Sequence, residues 1–397
     1  MKRVISIMLL FVFAFSFGIT VFAETEGNNT AEKYEITPLQ IDVSCNSALL
    51  MEAETGKILY RKNEKAAASP ASVTKIMTLL LAAEAIDSGM LSLKDEISIS
   101  KNAAGMGGSQ VFLEEGERMS VHELLKCTVI ASANDAAVAL AETISGSEDA
   151  FVIKMNERAR ELGMKNTSFE NATGLDDTTL NHVTSAEDIA IMSRELIKHN
   201  TITELSSLWQ DTIRNGEFTL TNTNRLVRFY DGCNGLKTGS TDKAGFCMSA
   251  TAKRSGMQLI AVVMGADTRD ERNQIARELL DFGFANYSLY TEDECELERI
   301  PVYSGTEEDV LAHQGSFKCI VNKSDVSRIV KDYEIPEYLS APLSENDKVG
   351  RVVWRIGDKI LGEKDIFVKD NVDKIDVMTI FLRIIKTAAS GSAKKEE

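Results

Sequence analysis

A hydroxyl and an amine stand three residues apart at Ser72 and Lys75. They lie in a stretch that reads as a helix entrance, Ser69-Pro70-Ala71-Ser72-Val73-Thr74-Lys75-Ile76-Met77-Thr78, running on into Leu79-Leu80-Leu81-Ala82-Ala83. Proline is at home in a first turn, where its missing N–H would have no intrahelical partner. The three-residue spacing puts Ser72 and Lys75 on one helical face. The positive end of the helix favours an alkoxide or an oxyanion formed there. Burial of Lys75 among Ala71, Ile76 and Leu79 would disfavour its ammonium form and leave a neutral amine as base. Those are the requirements of an activated serine nucleophile. Spacing alone decides nothing, because Ser98/Lys101, Ser240/Lys243 and Ser392/Lys395 repeat it. The ordinary reading of such a pair is a helix-terminal serine with a solvated lysine one turn later.

The surrounding elements must therefore decide. Ser47-Ala48-Leu49-Leu50-Met51 and Lys57-Ile58-Leu59-Tyr60 read as strands joined by a turn at Glu54-Thr55-Gly56. After the Ser72 helix, Ser120-Val121-His122-Glu123 is a capping-box signature opening a helix over 124–130. A second helical pattern, 136–144, stops at Gly146, so Ser132 and Asn134 fall at a helix–helix junction. Further helices are expected over 151–162 and 186–198. Extended segments follow at 218–220, at Asn234-Gly235-Leu236-Lys237-Thr238-Gly239, and at 246–251 and 257–263, then a closing helix over 269–284. Strands at both ends and helices between them point to an α+β class, an antiparallel sheet flanked by helices. Beyond Cys295, short strands separated by turn residues predict a small all-β unit. Over 375–386, Ile375, Val377, Met378, Ile380, Phe381, Leu382, Ile384 and Ile385 share one broad helical face, opposite Asp376, Thr379, Arg383 and Lys386. That stretch is too short to span a bilayer, which suggests an interfacial helix; docking on the protein's own core is the alternative.

The 397 residues are 44% hydrophobic and 26% charged, ordinary values for a globular chain long enough for two domains. The net charge of −16 opposes binding to nucleic acid, whose phosphates demand a basic surface. Residues 1–23 read as a secretory leader, with an uncleaved membrane anchor as the alternative: Lys2 and Arg3, an apolar core from Ile5 to Val21, and a small-residue site at Val21-Phe22-Ala23 that favours cleavage. Loss of Lys2 and Arg3 with that leader takes the charge to −18. Residues 24–37 read as a loose linker. Six cysteines, Cys45, Cys127, Cys233, Cys247, Cys295 and Cys319, have neither metal-type spacing nor a disulfide-scaffold pattern, and are expected to be free or buried thiols. No cofactor and no metal are called for.

Ser72-x-x-Lys75, Ser132-Ala133-Asn134 and Lys237-Thr238-Gly239 stand in the order and contexts of the signature shared by serine β-lactamases and penicillin-binding proteins. The chain resembles the serine D-alanyl-D-alanine carboxypeptidases, the low-molecular-mass penicillin-binding proteins, over roughly residues 40–290. The likeness lies in the Ser72 segment and in Leu113-Glu114-Glu115-Gly116, Ala131 to Ala137, Glu161 to Thr167, Gly174-Leu175-Asp176-Asp177 and Gly235 to Gly245. It implies a β-lactamase/transpeptidase-like domain over 38–290, a small β-sandwich-like domain over 295–370, and a membrane-anchoring amphipathic helix over 372–388. It also implies the reaction: removal of the terminal D-alanine from peptidoglycan stem pentapeptides, outside the cytoplasm, with β-lactams as inhibitors.

The roles implied are residue by residue. Ser72 is the nucleophile, Lys75 the general base and Ser132 a proton relay to the leaving amine. Asn134 hydrogen-bonds the substrate's peptide, and Lys237 and Thr238 bind its terminal carboxylate. Gly239 lets the substrate backbone lie along the strand. The backbone N–H groups of Ser72 and Ser240 form the oxyanion hole. Three departures from the family pattern bear on rate and β-lactam affinity: Ala133 where glycine is common, Ser240 where histidine is frequent, and Asn234 where aspartate is usual. His182 is expected to be structural, capping a turn. Arg225 and Arg228 could bind a carboxylate but read more simply as part of a solvated strand. A β-lactamase of the same fold is one rival; it needs a second base to clear the acyl-enzyme, and Asp177-Thr178-Thr179-Leu180-Asn181 faintly resembles the loop that carries one. A non-catalytic wall-binding relative is the other.

Overall fold

Alternate residues of two adjacent strands face opposite cores, and that alternation organises the larger part of the molecule. The computed structural model describes residues 32–38, 40–176 and 179–392. The expected leader, most of the expected linker, Asp177, Thr178 and Lys395 lie outside the described residues. In chain order the elements that matter for the site are β1 (Ser47–Glu52), β2 (Ile58–Lys62), α1 (Lys75–Asp87), α2 (Val121–Ile130), α3 (Asn134–Ser145), β3 (Cys233–Thr241), β4 (Gly245–Arg254), β5 (Met257–Ala266) and α4 (Arg269–Asn286). The strands form one sheet in the order β2-β1-β5-β4-β3, each neighbour antiparallel. Leu49, Met51, Ile260, Val262 and Met264 join the core under the helical layer. Ala48, Leu50, Leu259, Ala261 and Val263 pack on the other face against Ile275, Leu279 and Leu280 of α4. A sheet covered on both faces explains the nearly unbroken apolar run of β5. The α+β expectation holds.

Helix α1 is buried all round, with Ile76, Met77, Leu79, Leu80, Ala82 and Ala83 inside, as its continuous apolar composition requires. Helix α2 starts at the expected capping box: the Ser120 hydroxyl accepts from the Glu123 N–H at 3.2 Å, and the Glu123 carboxylate accepts from the Ser120 N–H at 3.4 Å. Helix α3 stops at Gly146, whose φ of 82° is left-handed. It begins at Asn134, two residues earlier than the apolar pattern suggests. Ser72 is also placed differently from expectation. It sits in a 3-10 turn, Ala71–Thr74, and the α-helix proper starts at Lys75.

A second, all-β unit follows directly. Strand Tyr287–Glu292 leaves α4 without a linker and pairs with Phe317–Asn322, so the change to β structure comes at Tyr287, ahead of the expected break after 290. Strands Lys348–Ile356 and Lys359–Val368 are the centre of a five-stranded antiparallel sheet. Trp354 is its core, stacked on Phe317 with ring centroids 4.0 Å apart and planes 11° from parallel. The last helix, α5, runs Val377–Ser392, later than the expected start at 372, because Val372 and Lys374 are still bridged to Leu343 and Gly305. Its Val377, Met378, Phe381, Leu382 and Ile384 side chains are exposed, which opposes docking on the protein's own core. Among the described residues, no helix is long and apolar enough to cross a membrane.

Candidate active site

The turn bearing Ser72 is held in an unusual backbone state. Ala71 has a φ of +48°, left-handed for a residue with a Cβ, a conformation that costs about 1–3 kcal/mol and persists only where neighbours enforce it. The neighbours are visible. The Thr74 hydroxyl donates to the Ala71 carbonyl at 2.9 Å. Gly174 presses on that same carbonyl so closely that a Cβ there would lie 1.8 Å from the oxygen. Ser132 is left-handed too, at φ +62°. Ser72 and Ser132 therefore both belong to tight turns, one entering α1 and the other joining α2 to α3.

Lys75 is completely buried. Its Nζ contacts three oxygens: Ser72 Oγ at 3.0 Å, Asn134 Oδ1 at 2.5 Å and the Thr173 carbonyl at 2.8 Å. Burial holds its pKa well below the ordinary lysine range, the charge of Lys237 lowers it further, and Asp135 opposes both. A neutral amine has two N–H bonds and one lone pair. Asn134 Oδ1 and the Thr173 carbonyl can only accept, so they take the two N–H bonds. The lone pair is then left facing Ser72 Oγ, which is the geometry of a base poised to remove the serine proton.

On the other side, Lys237 Nζ donates to Ser132 Oγ at 2.7 Å and to the Thr238 carbonyl at 3.0 Å. Burial first, and then the Arg272 charge, brings its pKa down to about 7. The Thr238 hydroxyl donates to Thr223 Oγ1 at 2.8 Å. Asn134 lies against the base: its Oδ1 accepts from Lys75, its Nδ2 donates one N–H to the Gly107 carbonyl at 2.6 Å, and it is only 2% exposed. Gly239 is needed for packing within the fold: a Cβ there would lie 2.8 Å from Ser72 N and 2.9 Å from Val73 N, and the missing side chain lets β3 close against the Ser72 turn.

Ser72, Ser109, Ser132, Thr223, Thr238, Gly239, Ser240, Arg269 and Arg272 line a cleft of about 160 Å³. Of the expected site residues, Ser72, Ser132, Thr238, Gly239 and Ser240 meet there, with Lys75, Asn134 and Lys237 directly beneath. No carboxylate lines it among the described residues. Arg269, Arg272, Thr223 and Ser109 were not anticipated. Arg272 is buried at the start of α4, with no carboxylate within ion-pair distance among the described residues, and burial lowers its pKa to about 10. No local motif announces it; only the packing of α4 on the sheet carries it 35 residues beyond Lys237 into the cleft. Arg225 and Arg228 lie elsewhere, near Asp270 and over Trp209 and Phe229 respectively; Arg225 caps a short helix and Arg228 lies within it, so neither is in a strand. His182 is buried against Phe169 and Thr74, as the structural expectation had it. All six cysteines are free.

Residues 32–268 match the family model for D-alanyl-D-alanine carboxypeptidase. The chain belongs to the D-alanyl-D-alanine carboxypeptidase family. Residues 284–374 match the C-terminal domain of penicillin-binding protein 5, in agreement with the β unit that starts at Tyr287. Among curated relatives, the D-alanyl-D-alanine carboxypeptidase DacF of Bacillus subtilis is 40% identical, over 96% of this chain and 98% of that protein. Penicillin-binding protein 5 of Haemophilus influenzae superposes with a TM-score of 0.73 at 31% identity, covering 86% of this chain and all of that one. Penicillin-binding protein D2 of Listeria monocytogenes, solved in its ampicillin-bound form, matches over 62% of this chain and 99% of its own, with a TM-score of 0.57 at 32% identity. Members of this family are serine-type carboxypeptidases.

Proposed function

We propose that this chain removes the terminal D-alanine from peptidoglycan stem pentapeptides through an acyl-enzyme on Ser72, and that β-lactams acylate the same oxygen. The observation that carries the proposal is the lone pair of Lys75, left aimed at Ser72 by two obligate acceptors. Lys75 Nζ takes the Ser72 proton as Oγ bonds to the carbonyl carbon between the two D-alanines. The resulting oxyanion is held by the backbone N–H groups of Ser72 and Ser240, where each donor contributes ~3–4 kcal/mol. Ser132 accepts a hydrogen bond from Lys237, so its own proton is free to pass to the departing amine. The C–N bond then breaks and D-alanine leaves. Lys75 returns the proton it took to Ser132 and is neutral again; it then takes a proton from the water that attacks the ester and passes it to Ser72 Oγ as the C–O bond breaks and the shortened peptide leaves.

Lys237 and Arg272 bind the terminal carboxylate, together with the Thr238 hydroxyl once its proton turns from Thr223 to the substrate, a charge-assisted contact that selects an exopeptidase substrate. Asn134 acts through Lys75. The β domain and α5 that follow the peptidase domain favour this reading over a β-lactamase, and on it the acyl-enzyme formed from a β-lactam clears slowly. Intact-protein mass spectrometry after benzylpenicillin exposure tests it. A persistent adduct on wild type and none on Ser72→Ala is expected. Rapid turnover of penicillin, or an adduct that survives Ser72→Ala, contradicts it.

The same reading places the protein outside the cytoplasm: residues 1–23 direct export, 24–37 link, and the peptidase domain, the β domain and α5 follow. Helix α5 lies on the outer face of the cytoplasmic membrane. The exposed apolar side chains of α5 support that placement. Removing residues 372–397 should abolish co-sedimentation with anionic vesicles and leave penicillin acylation intact; retained sedimentation refutes the anchor.

A further inference from the structure

We propose that His182 is a positioning residue for the nucleophile, acting through Thr74 and the Ala71 carbonyl. The inference rests on Ser72 being the nucleophile, as proposed above. His182 is buried and touches neither Ser72 nor the cleft. Its ring nevertheless ends a directed chain of hydrogen bonds into the Ser72 turn. The backbone N–H of Glu170 points at His182 Nδ1 at 3.0 Å. That group can only donate, so Nδ1 is the acceptor nitrogen and the proton of the neutral ring sits on Nε2. Nε2 lies 2.8 Å from Thr74 Oγ1, and therefore donates to it. With its lone pair so engaged, the Thr74 hydroxyl has one use for its own proton, the Ala71 carbonyl at 2.9 Å. The ring thereby sets the direction of the bond that restrains the left-handed Ala71, the residue before Ser72.

The surroundings keep the ring neutral. Burial brings its pKa down to about 4, against the pull of Glu170 and Asp176 and helped by Lys243. Phe169 meets it edge-on at 5.8 Å. The segment is pinned at both ends: Ser168 is bridged to Val183, and Thr184 to Ala68 just before the turn. The stretch that presents His182 also supplies the Thr173 carbonyl to Lys75 and Gly174 against Ala71. One loop thus holds nucleophile and base in register, and small misplacement at a reacting centre is expensive in rate.

The test measures the second-order rate of acylation by benzylpenicillin, with the thermal midpoint, for wild type, Ser72→Ala, His182→Ala, His182→Gln, Thr74→Val and the His182→Ala/Thr74→Val double variant. Glutamine presents one acceptor and one donor at its tip, so it can take the Glu170 N–H and give to Thr74. The expectation is a loss of about 10–100-fold for His182→Ala, recovery of most of it in His182→Gln, and a double variant no slower than Thr74→Val alone, since both act on one bond. Thr74→Val cuts the chain without touching the ring, and carries the test if His182→Ala fails to fold. Wild-type rates in Thr74→Val or in a folded His182→Ala, equal losses in His182→Ala and His182→Gln, or additive losses in the double variant overturn the proposal while leaving Ser72 as nucleophile. Absence of any adduct on wild type overturns the nucleophile reading beneath it.

Discussion

The two domains treat charge in opposite ways. In the peptidase domain Lys75, Lys237, Asp135, His182 and Arg272 are all buried, none more than 3% exposed. In the β domain the only buried polar side chain among the described residues is Gln314. Its charges meet in surface pairs such as Lys348–Asp365 at 2.7 Å, Arg351–Glu334 at 2.6 Å and Arg355–Asp332 at 2.6 Å. Exposed pairs of that kind contribute roughly 0–1 kcal/mol each, and the core beneath them is apolar, built on Trp354 and Phe317. A buried lysine is unfavourable for folding. It is retained where the shifted proton affinity is the purpose, and the domain that carries it is the one that does chemistry.

Breaking the contrast at its strongest point means removing the buried amine. Lys75→Met keeps the volume and removes the lone pair, so benzylpenicillin acylation should fall by about 10²–10⁴-fold, the usual contribution of a general base. Next is Gly239→Ala, whose Cβ would crowd Ser72 N. A shift of β3 away from the turn should slow acylation by ~10²-fold while the circular dichroism spectrum stays native. The pH profile sharpens the comparison further. Lys75 must be neutral, so kcat/KM rises with pH through its depressed pKa. Lys237 must be protonated to hold a carboxylate, so kcat/KM for a carboxylate-ended peptide falls as pH rises past about 7. Lys237→Arg, which stays charged, should remove that alkaline limb. The smallest effect on catalysis is expected from Trp354→Ala. It should destabilise the β domain by about 3–5 kcal/mol, read by denaturant unfolding, and leave acylation at the wild-type rate.

The same contrast explains what could be read without coordinates. Strands β1, β2, β4 and β5, the capping box at Ser120 and the motifs that carry Ser72, Lys75 and Ser132 are all written in local pattern: apolar periodicity, turn residues, short spacings. The 3-10 turn at Ser72 is not, because helical periodicity cannot separate a 3-10 entry from an α-helix, and the left-handed Ala71 is enforced by Gly174 from a distant loop. Arg272 was invisible for a similar reason: an arginine in a polar helix start reads as solvated until the packing of α4 buries it. The contacts of Asn134 are likewise not legible locally: its amide meets the Gly107 carbonyl and the Lys75 amine, and neither partner is near in sequence. Strand Tyr287–Glu292 was missed because it abuts a helix with no turn residue between them. Local signals name the reacting groups, and long-range packing decides which atoms they face.

The central claim is that Ser72 hydrolyses the bond between two terminal D-alanines. The most direct measurement is release of free D-alanine from a stem pentapeptide mimic ending in D-Ala-D-Ala, with the same peptide ending in D-Ala-L-Ala as control. Stoichiometric turnover of the first peptide by wild type, none of the second, and none of either by Ser72→Ala is the predicted result. Release of D-alanine at an undiminished rate by Ser72→Ala, or no release by wild type that nevertheless forms the penicillin adduct, would contradict it.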